Sequence, residues 1–468
     1  AEGALSAAFV PTFMHELTTR GREPAWRLAN NVLGALLLVT ALVVAAGLVF
    51  AHPLVAALAG DYAAVPGKLE LTVFLARIML PMLIFIAVAA TCMGMLNSLG
   101  HFFVPALAPA TFNVVTIVSA FTLVPLMPRF GVAPITGIAI GALAGGVAQV
   151  AVQWPLLRRE RFVYRPTLTW SDPALHRVLA LMGPGTIGLA ATQVNVFVNV
   201  ILATRQGTGA VSWLTFAFRL MYLPIGLFGV SIATAVLPAV SRAAARRDDD
   251  GVRRTVADGM ALTLMLNVPA TVGLMVLASP IVRLIFERRA FTPADTTATA
   301  AALQCYAIGL VGYAIVRIAS PTFYALRQSR TPIAISVGAM LTNVVLNLVL
   351  VHWLGYRGLA LGTALAALSN AAALLYALRR RLNGLEGRRL LGSCARIALA
   401  SALMGVAAFA TDRVLERLWP GSHVIAQAVR LGSTIGISLG VLAAAAAALR
   451  IREFHESVAL VIRRVRQS

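Results

Sequence analysis

The chain has 468 residues, 59% hydrophobic and only 12% charged, with a mean hydropathy of +0.83. Soluble domains carry about 25% charged residues, so this chain has too little polar surface to face water, and its solvent is lipid. The net charge of +21 does not mark a nucleic-acid binder, because the arginines stand at the ends of apolar runs, as they do in inner-membrane proteins.

A helix needs about 20 apolar residues to cross the hydrocarbon layer, and runs this long exclude barrel strands of about ten. The sequence predicts twelve spans. The first, 29–50, closes on His52-Pro53-Leu54-Val55. The second, 71–95, contains Arg77 and Pro81. The third, 106–127, follows Pro105 and contains Pro109 and Asn113-Val114-Val115. The fourth, 132–157, opens near Gly137-Ile138-Ala139-Ile140-Gly141 and ends on Arg158-Arg159. The fifth, 178–203, contains Pro184, Gly185 and Asn199. The sixth, 211–236, contains Arg219, Pro224, Gly226 and Gly229. The seventh, 256–278, contains Pro269 and closes on Ser279-Pro280-Ile281-Val282. The eighth, 299–320, contains Arg317 and ends at Pro321. The ninth, 332–352, contains Asn343-Val344-Val345 and Asn347. The tenth, 357–378, carries Gly358-Leu359-Ala360-Leu361-Gly362 and Thr363 and ends on Arg379-Arg380. The eleventh and twelfth, 393–411 and 426–449, complete the set.

Several of these features recur in order. Pro53 and Pro280 are 227 apart, as are Pro105 and Pro332; Asn113 and Asn343 are 230 apart. The two glycine pairs and the two arginine pairs are each 221 apart. One such match could be chance, but five in sequence argue for a duplication. The expected architecture is an all-α polytopic membrane protein of two pseudo-symmetric six-helix bundles plus two C-terminal helices. Residues 1–175 form the first bundle, with about four full helices, 176–385 the second, and 386–468 the extra helices and a basic tail. By the repeat offset, the first two helices of a fourteen-span protein are expected to precede Ala1. Six spans per copy imply a pseudo-two-fold axis along the membrane normal, with a substrate path between the copies.

Of the 39 lysines and arginines, 26 fall on the side of the N-terminal segment when the spans alternate, and 10 on the other. Both termini are therefore expected in the cytoplasm. The remaining three, Arg77, Arg219 and Arg317, lie inside spans. A charge at mid-membrane costs at least about 2.5–3.5 kcal/mol, so such a residue pairs with a carboxylate, snorkels to an interface or serves a ligand. Acids are nearly absent from the spans, and a guanidinium fork suits a pyrophosphate. The same scarcity counts against a cation/drug antiporter. Asn199, Asn343, Asn347 and Thr363 are polar residues of the second copy, and Asn343 and Asn347 share a helix face. They could coordinate Na⁺ or could simply bond helix to helix. The prolines and glycines within spans are candidate hinges or plain kinks, and the Gly-x3-Gly pairs mark close helix packing. Cys92, Cys305 and Cys394 have no metal-ligand spacing, and no HExxH or strand-borne GxGxxG motif points to an enzyme.

The chain resembles the MurJ (MviN) family of the multidrug/oligosaccharidyl-lipid/polysaccharide exporter superfamily. The likeness is carried by Ala1-Glu2-Gly3-Ala4 with Ala8-Phe9-Val10-Pro11, by Pro105 through Asn113, and by Met182-Gly183-Pro184. It continues in Val211-Ser212-Trp213, Ala217-Phe218-Arg219-Leu220, Pro224, Gly226 and Phe228-Gly229-Val230, and ends in Pro321, Phe323-Tyr324 and Thr331-Pro332. The resemblance implies a non-enzymatic inner-membrane flippase, and a monomer is expected. Its substrate would be lipid II, the undecaprenyl-pyrophosphate-linked peptidoglycan precursor, moved by alternating access. It also implies a cavity role for Glu2, which otherwise caps a helix, and a tail groove in the last two helices. Some relatives carry acids beside the arginine corresponding to Arg219, where this chain has Phe218 and Tyr222. Alternatives are a flippase for another polyprenyl-linked glycan, such as an O-antigen or capsule unit, and a non-transporting membrane scaffold. With no nucleotide-binding motif in the sequence, a Na⁺ gradient or the membrane potential is expected to drive transport.

Overall fold

The computed structural model describes the backbone of residues 2–421 and 423–455, and their side chains except at 2–7, 183–192, 228–231, 233–235 and 388. Among these residues it is helix and turn, with no strand. Among the described residues, eleven helices are long and apolar enough to cross a membrane, and a twelfth expected span falls on a further helix, Pro173–Thr204. The chain divides into two compact units, Ala1–Phe197 and Val198–Ser468.

The first unit contains α1 (Glu2–Arg20), α2 (Arg22–Val49), the elbow α3 (Ala51–Ala59), α4 (Lys68–Met79), α5 (Met82–Ser98), α6 (Phe103–Thr122), α7 (Thr136–Arg159) and most of α8 (Pro173–Thr204). Helix α1 was not among the expected spans, because His15, Glu16, Thr18 and Thr19 interrupt its apolar pattern. It is nonetheless central: Phe9 and Phe13 are fully buried. Their rings continue through Trp26 to Phe162 at centroid spacings of 5.3, 5.5 and 5.1 Å. The extended segment after α7 straps onto α2. Asn30 donates to the Val163 carbonyl at 3.1 Å and accepts from Arg165 N at 2.9 Å. Asn31 donates to the Thr169 carbonyl at 3.0 Å and accepts from Thr169 N at 2.7 Å. Both amides are buried, so each satisfies strap backbone that would otherwise lack partners. At the base, Glu160 accepts from His101 Nε2 at 2.9 Å and pairs with Arg22 at 3.3 Å. These bonds, the one to His101 first, hold its carboxyl below the usual carboxylate range.

The second unit contains the end of α8, α9 (Ala210–Pro224), α10 (Val230–Ala245), α11 (Asp249–Val276), the elbow α12 (Ala278–Phe286), α13 (Pro293–Ala307), α14 (Leu310–Ala325), α15 (Arg330–Leu354), α16 (Tyr356–Arg381), α17 (Gly387–Leu418) and α18 (Val424–Ala448). The repeat is plain in the element order: α2 to α7 match α11 to α16 one for one. Each elbow is nine residues long, with Pro53 and Pro280 in third place. Three expected spans are broken. The second bends at Leu80-Pro81 between α4 and α5, the eighth at Ile308-Gly309 between α13 and α14, and the sixth at a π-turn, Ile225–Gly229. Pro81, Pro224, Gly226 and Gly229 thus mark real breaks. Pro109, Pro269 and Pro321 lie within continuous helices, and the side chains of Pro184 and its neighbours lie outside those described.

Large apolar side chains point outward: Phe103, Phe121, Trp353 and Ile425 are each about 80% exposed, at 79%, 79%, 82% and 79%. Small residues fill the helix contacts. A Cβ at Gly137 would lie 2.7 Å from Val124 N, and one at Gly362 would collide with Asn347 Oδ1. The glycine pairs therefore let α6 meet α7 and α15 meet α16 at backbone distance. Helix α17 packs against α11, and α18 against α17 and the elbow α12. A cleft of about 220 Å³ between them is lined by Met265, Pro269, Gly273, Met404, Ala408 and Leu442 among others.

Candidate functional site: an arginine face and an amide cluster

Helix α9 buries Leu214, Ala217, Leu220 and Met221 and leaves Arg219 and Tyr222 on its exposed side. These two are three apart, hence neighbours on one face. Phe218 packs tilted beside Tyr222, ring centroids 5.8 Å apart, and meets Tyr306 edge-on at 5.4 Å. Arg317, from the middle of α14, donates from its Nη2 to the Tyr222 hydroxyl at 2.6 Å. The structure thus brings Arg219 and Arg317 to one face through Tyr222, a link across 95 residues that sequence reading gave no signal for. The Arg317 side chain reaches from α14 to α9. Among the described residues, no carboxylate pairs with Arg219, Arg317 or Arg77. The acids that do form ion pairs, such as Glu160, Asp249 and Asp258, engage other arginines.

Arg77 is exposed on α4 of the first unit, one turn before the Leu80-Pro81 break. Glu2 opens α1, and its side chain lies outside the described residues.

Asn199, Asn343, Asn347 and Thr363, from α8, α15 and α16, form one cluster. Asn343 Oδ1 accepts from Asn199 Nδ2 at 3.3 Å and from Asn347 Nδ2 at 3.2 Å. Asn347 also donates to Asn199 Oδ1. Asn343 Nδ2 donates to Thr363 Oγ1 at 3.3 Å, and that hydroxyl donates to the Leu359 carbonyl at 2.8 Å. Asn343 and Asn347 are buried, and Asn347 Oδ1 has no hydrogen-bond partner. Amide and hydroxyl oxygens suit a hard cation such as Na⁺, and an orphaned buried oxygen is the kind of donor such an ion would satisfy. The set carries no formal negative charge.

Sequence reading missed one buried ion pair. Arg430, on α18, is 7% exposed and lies 3.7 Å from Asp412 of α17. In the sequence, only their position on either side of a short turn hints at contact.

The architecture is that of a polytopic membrane transporter. It matches a solved structure described as lipid II flippase MurJ, inward closed conformation, with a TM-score of 0.76 at 24% identity, covering 96% of this chain and 89% of that one. It also matches an inward-facing multidrug resistance MATE family transporter of the MOP superfamily, with a TM-score of 0.68 at 19% identity, covering 82% of this chain and 87% of that one. At these identities the matches define the fold. The sequence goes further: the family model described as lipid II flippase MurJ matches residues 1–429. A Vibrio cholerae serotype O1 protein described as a probable lipid II flippase MurJ is 33% identical over 452 residues, 94% of this chain and 84% of its own. The chain belongs to the MurJ family.

Proposed function

We infer that this chain is a lipid II flippase, moving the undecaprenyl-pyrophosphate-linked peptidoglycan precursor across the membrane. The observation that carries the reading is the arginine face of α9 and α14, free of protein carboxylates among the described residues, in a chain of this family. Uncompensated guanidinium charge within a span is costly unless an anion or water meets it. Two planar forks provide up to ten N–H donors in a geometry matched to a diphosphate.

Transport proceeds by alternating access. The arginines take the diphosphate while the site is open to the cytoplasm. The helices then re-pack about the breaks at Leu80-Pro81, Ile225–Gly229 and Ile308-Gly309, and the head group leaves on the far side. The isoprenoid tail stays in the bilayer and lies in the cleft between α11 and the α17–α18 hairpin, whose lining is apolar apart from Ser438. Arg77, on α4 of the first unit, is a further candidate substrate-binding residue. Both termini lie in the cytoplasm, which the 26-to-10 distribution of basic residues supports. The protein works as a monomer.

Na⁺ would bind at Asn199, Asn343, Asn347 and Thr363, where it would supply coupling to an ion gradient. The orphaned Asn347 Oδ1 supports this assignment.

The test is expression of the full-length protein in cells depleted of their own MurJ, with lipid II at the outer leaflet measured directly. Growth and outer-leaflet lipid II should both return. A properly inserted protein that restores neither, but exports a different polyprenyl-linked glycan, overturns the assignment.

A further inference from the structure

Arg317 is held by a phenol. Its guanidinium donates to Tyr222 Oη at 2.6 Å, and among the described residues it has no carboxylate partner. The difference matters for a group that must receive an anion. A carboxylate in this place would fix the guanidinium but cancel its charge, and an incoming phosphate would compete with it. A phenol hydroxyl fixes one N–H and carries no charge at neutral pH. Four of the five guanidinium donors stay available. The hydroxyl, having accepted from Arg317, still has its own proton to donate. Tyr222 is itself held in place by its ring, which packs beside Phe218 at 5.8 Å, and it shares a helix face with Arg219.

We propose that Tyr222 is a positioning residue for the anionic head group. It presents Arg317 beside Arg219 with both positive charges intact, and it offers its own O–H as a third donor to a diphosphate oxygen. The site therefore selects a diphosphate over a monophosphate, because the doubly charged, longer group has oxygens and charge enough to engage both guanidinium forks and the hydroxyl together. This rests on the assignment of the arginine face as the head-group site.

The experiment uses the full chain in phosphatidylcholine nanodiscs, titrated with undecaprenyl diphosphate and with undecaprenyl monophosphate at two salt concentrations. Tyr222→Phe keeps the ring and removes the hydroxyl. It should weaken diphosphate binding about threefold to tenfold, the range for one neutral hydrogen bond, with a smaller change for the monophosphate and an unaltered melting temperature. Tyr222→Gln, which restores a neutral acceptor and donor, should recover most of the affinity. Tyr222→Glu should bind worst and show a shallower salt dependence, because the carboxylate neutralises Arg317. Arg219→Ala in the same titration separates the two ideas. If Arg219→Ala weakens binding while Tyr222→Phe and Tyr222→Glu bind as the parent does, the positioning role is wrong and the head-group site stands. If Arg219→Ala also binds as the parent does, both fall.

Discussion

Replacing Arg219 is the sharpest perturbation of the arginine face. Its side chain is exposed on α9 and has no carboxylate partner among the described residues, so Arg219→Ala leaves no acid stranded. The fold should barely notice, since substitutions away from packed or paired positions stay within about 0.5 kcal/mol. The loss falls on the ligand. One charge-assisted contact to a phosphate contributes about 1.5–3 kcal/mol, and each 1.36 kcal/mol is a factor of ten. Head-group affinity should therefore drop roughly tenfold to 150-fold. Arg219→Lys keeps the charge but loses the planar fork, so its loss should be smaller, about threefold to tenfold. The assay is translocation of labelled lipid II in proteoliposomes, with the melting temperature recorded for each variant to separate binding from folding. A correctly inserted Arg219→Ala protein that transports at the parental rate refutes the reasoning, as does an Arg219→Lys protein no better than the alanine variant.

Other expectations follow from the same packing and charges. Gly362→Ala should destabilise by about 1–3 kcal/mol, the usual cost of overpacking, because its methyl would meet Asn347 Oδ1 and lie 3.2 Å from Asn347 N. Gly338→Ala, with nothing within 4 Å of its Cβ, is the control, and thermal melting in detergent should separate the two. Na⁺ should raise the melting temperature of the parent protein, fail to do so in Asn347→Leu, and do so more strongly in Asn347→Asp, where a formal charge joins the oxygens; equal shifts in all three would remove the ion site. The Glu160 carboxyl is held below its ordinary range chiefly by the hydrogen bond from His101. The native state thus favours the ionised form, and this stabilisation is present at neutral pH and lost as pH falls through the depressed value. Glu160→Gln should melt below the parent at pH 7, and the gap should close in acid below the usual carboxylate range; a gap constant with pH would contradict the linkage.

The spans were legible because burying about 20 apolar residues in lipid leaves few alternatives to helix. The duplication was legible because prolines and glycines at elbows and close contacts cannot drift without breaking them: Pro53 and Pro280 keep third place in their elbows. Helix α1 was less so, because one that packs on protein on several sides tolerates His15, Glu16 and two threonines. The bond from Arg317 to Tyr222 was invisible, since nothing local encodes a contact between α14 and α9. The amide cluster was half visible: the spacing of Asn343 and Asn347 put them on one face, but their meeting with Asn199 of α8 and Thr363 of α16 depends on Gly362 letting α16 approach α15.

The arrangement of charge also constrains the energetics of the cycle. Carrying two negative charges outward from a negative interior yields about 4–5 kcal/mol per 100 mV, at roughly 2.3 kcal/mol per charge. The total depends only on what crosses, not on where the protein keeps its own charges. What the arginines decide is which step feels the field. A diphosphate held by Arg219 and Arg317 makes a nearly neutral loaded site, so the loaded transition is almost blind to voltage. The return of the empty site then moves net positive charge toward the negative side, and that step carries the voltage dependence. Removing one arginine leaves the loaded site with a residual negative charge and the empty site with a single positive one. The voltage sensitivity should then be shared between the two half-cycles. Charge-movement recordings on proteoliposomes, with and without a diphosphate lipid, test this. In the parent protein the transient current should appear in the empty state and be suppressed by ligand, and in Arg317→Gln the ligand-bound state should carry current of its own. A parent protein with equal charge movement in both states would mean that the arginines do not neutralise the cargo, and the pairing on which the mechanism depends would fail.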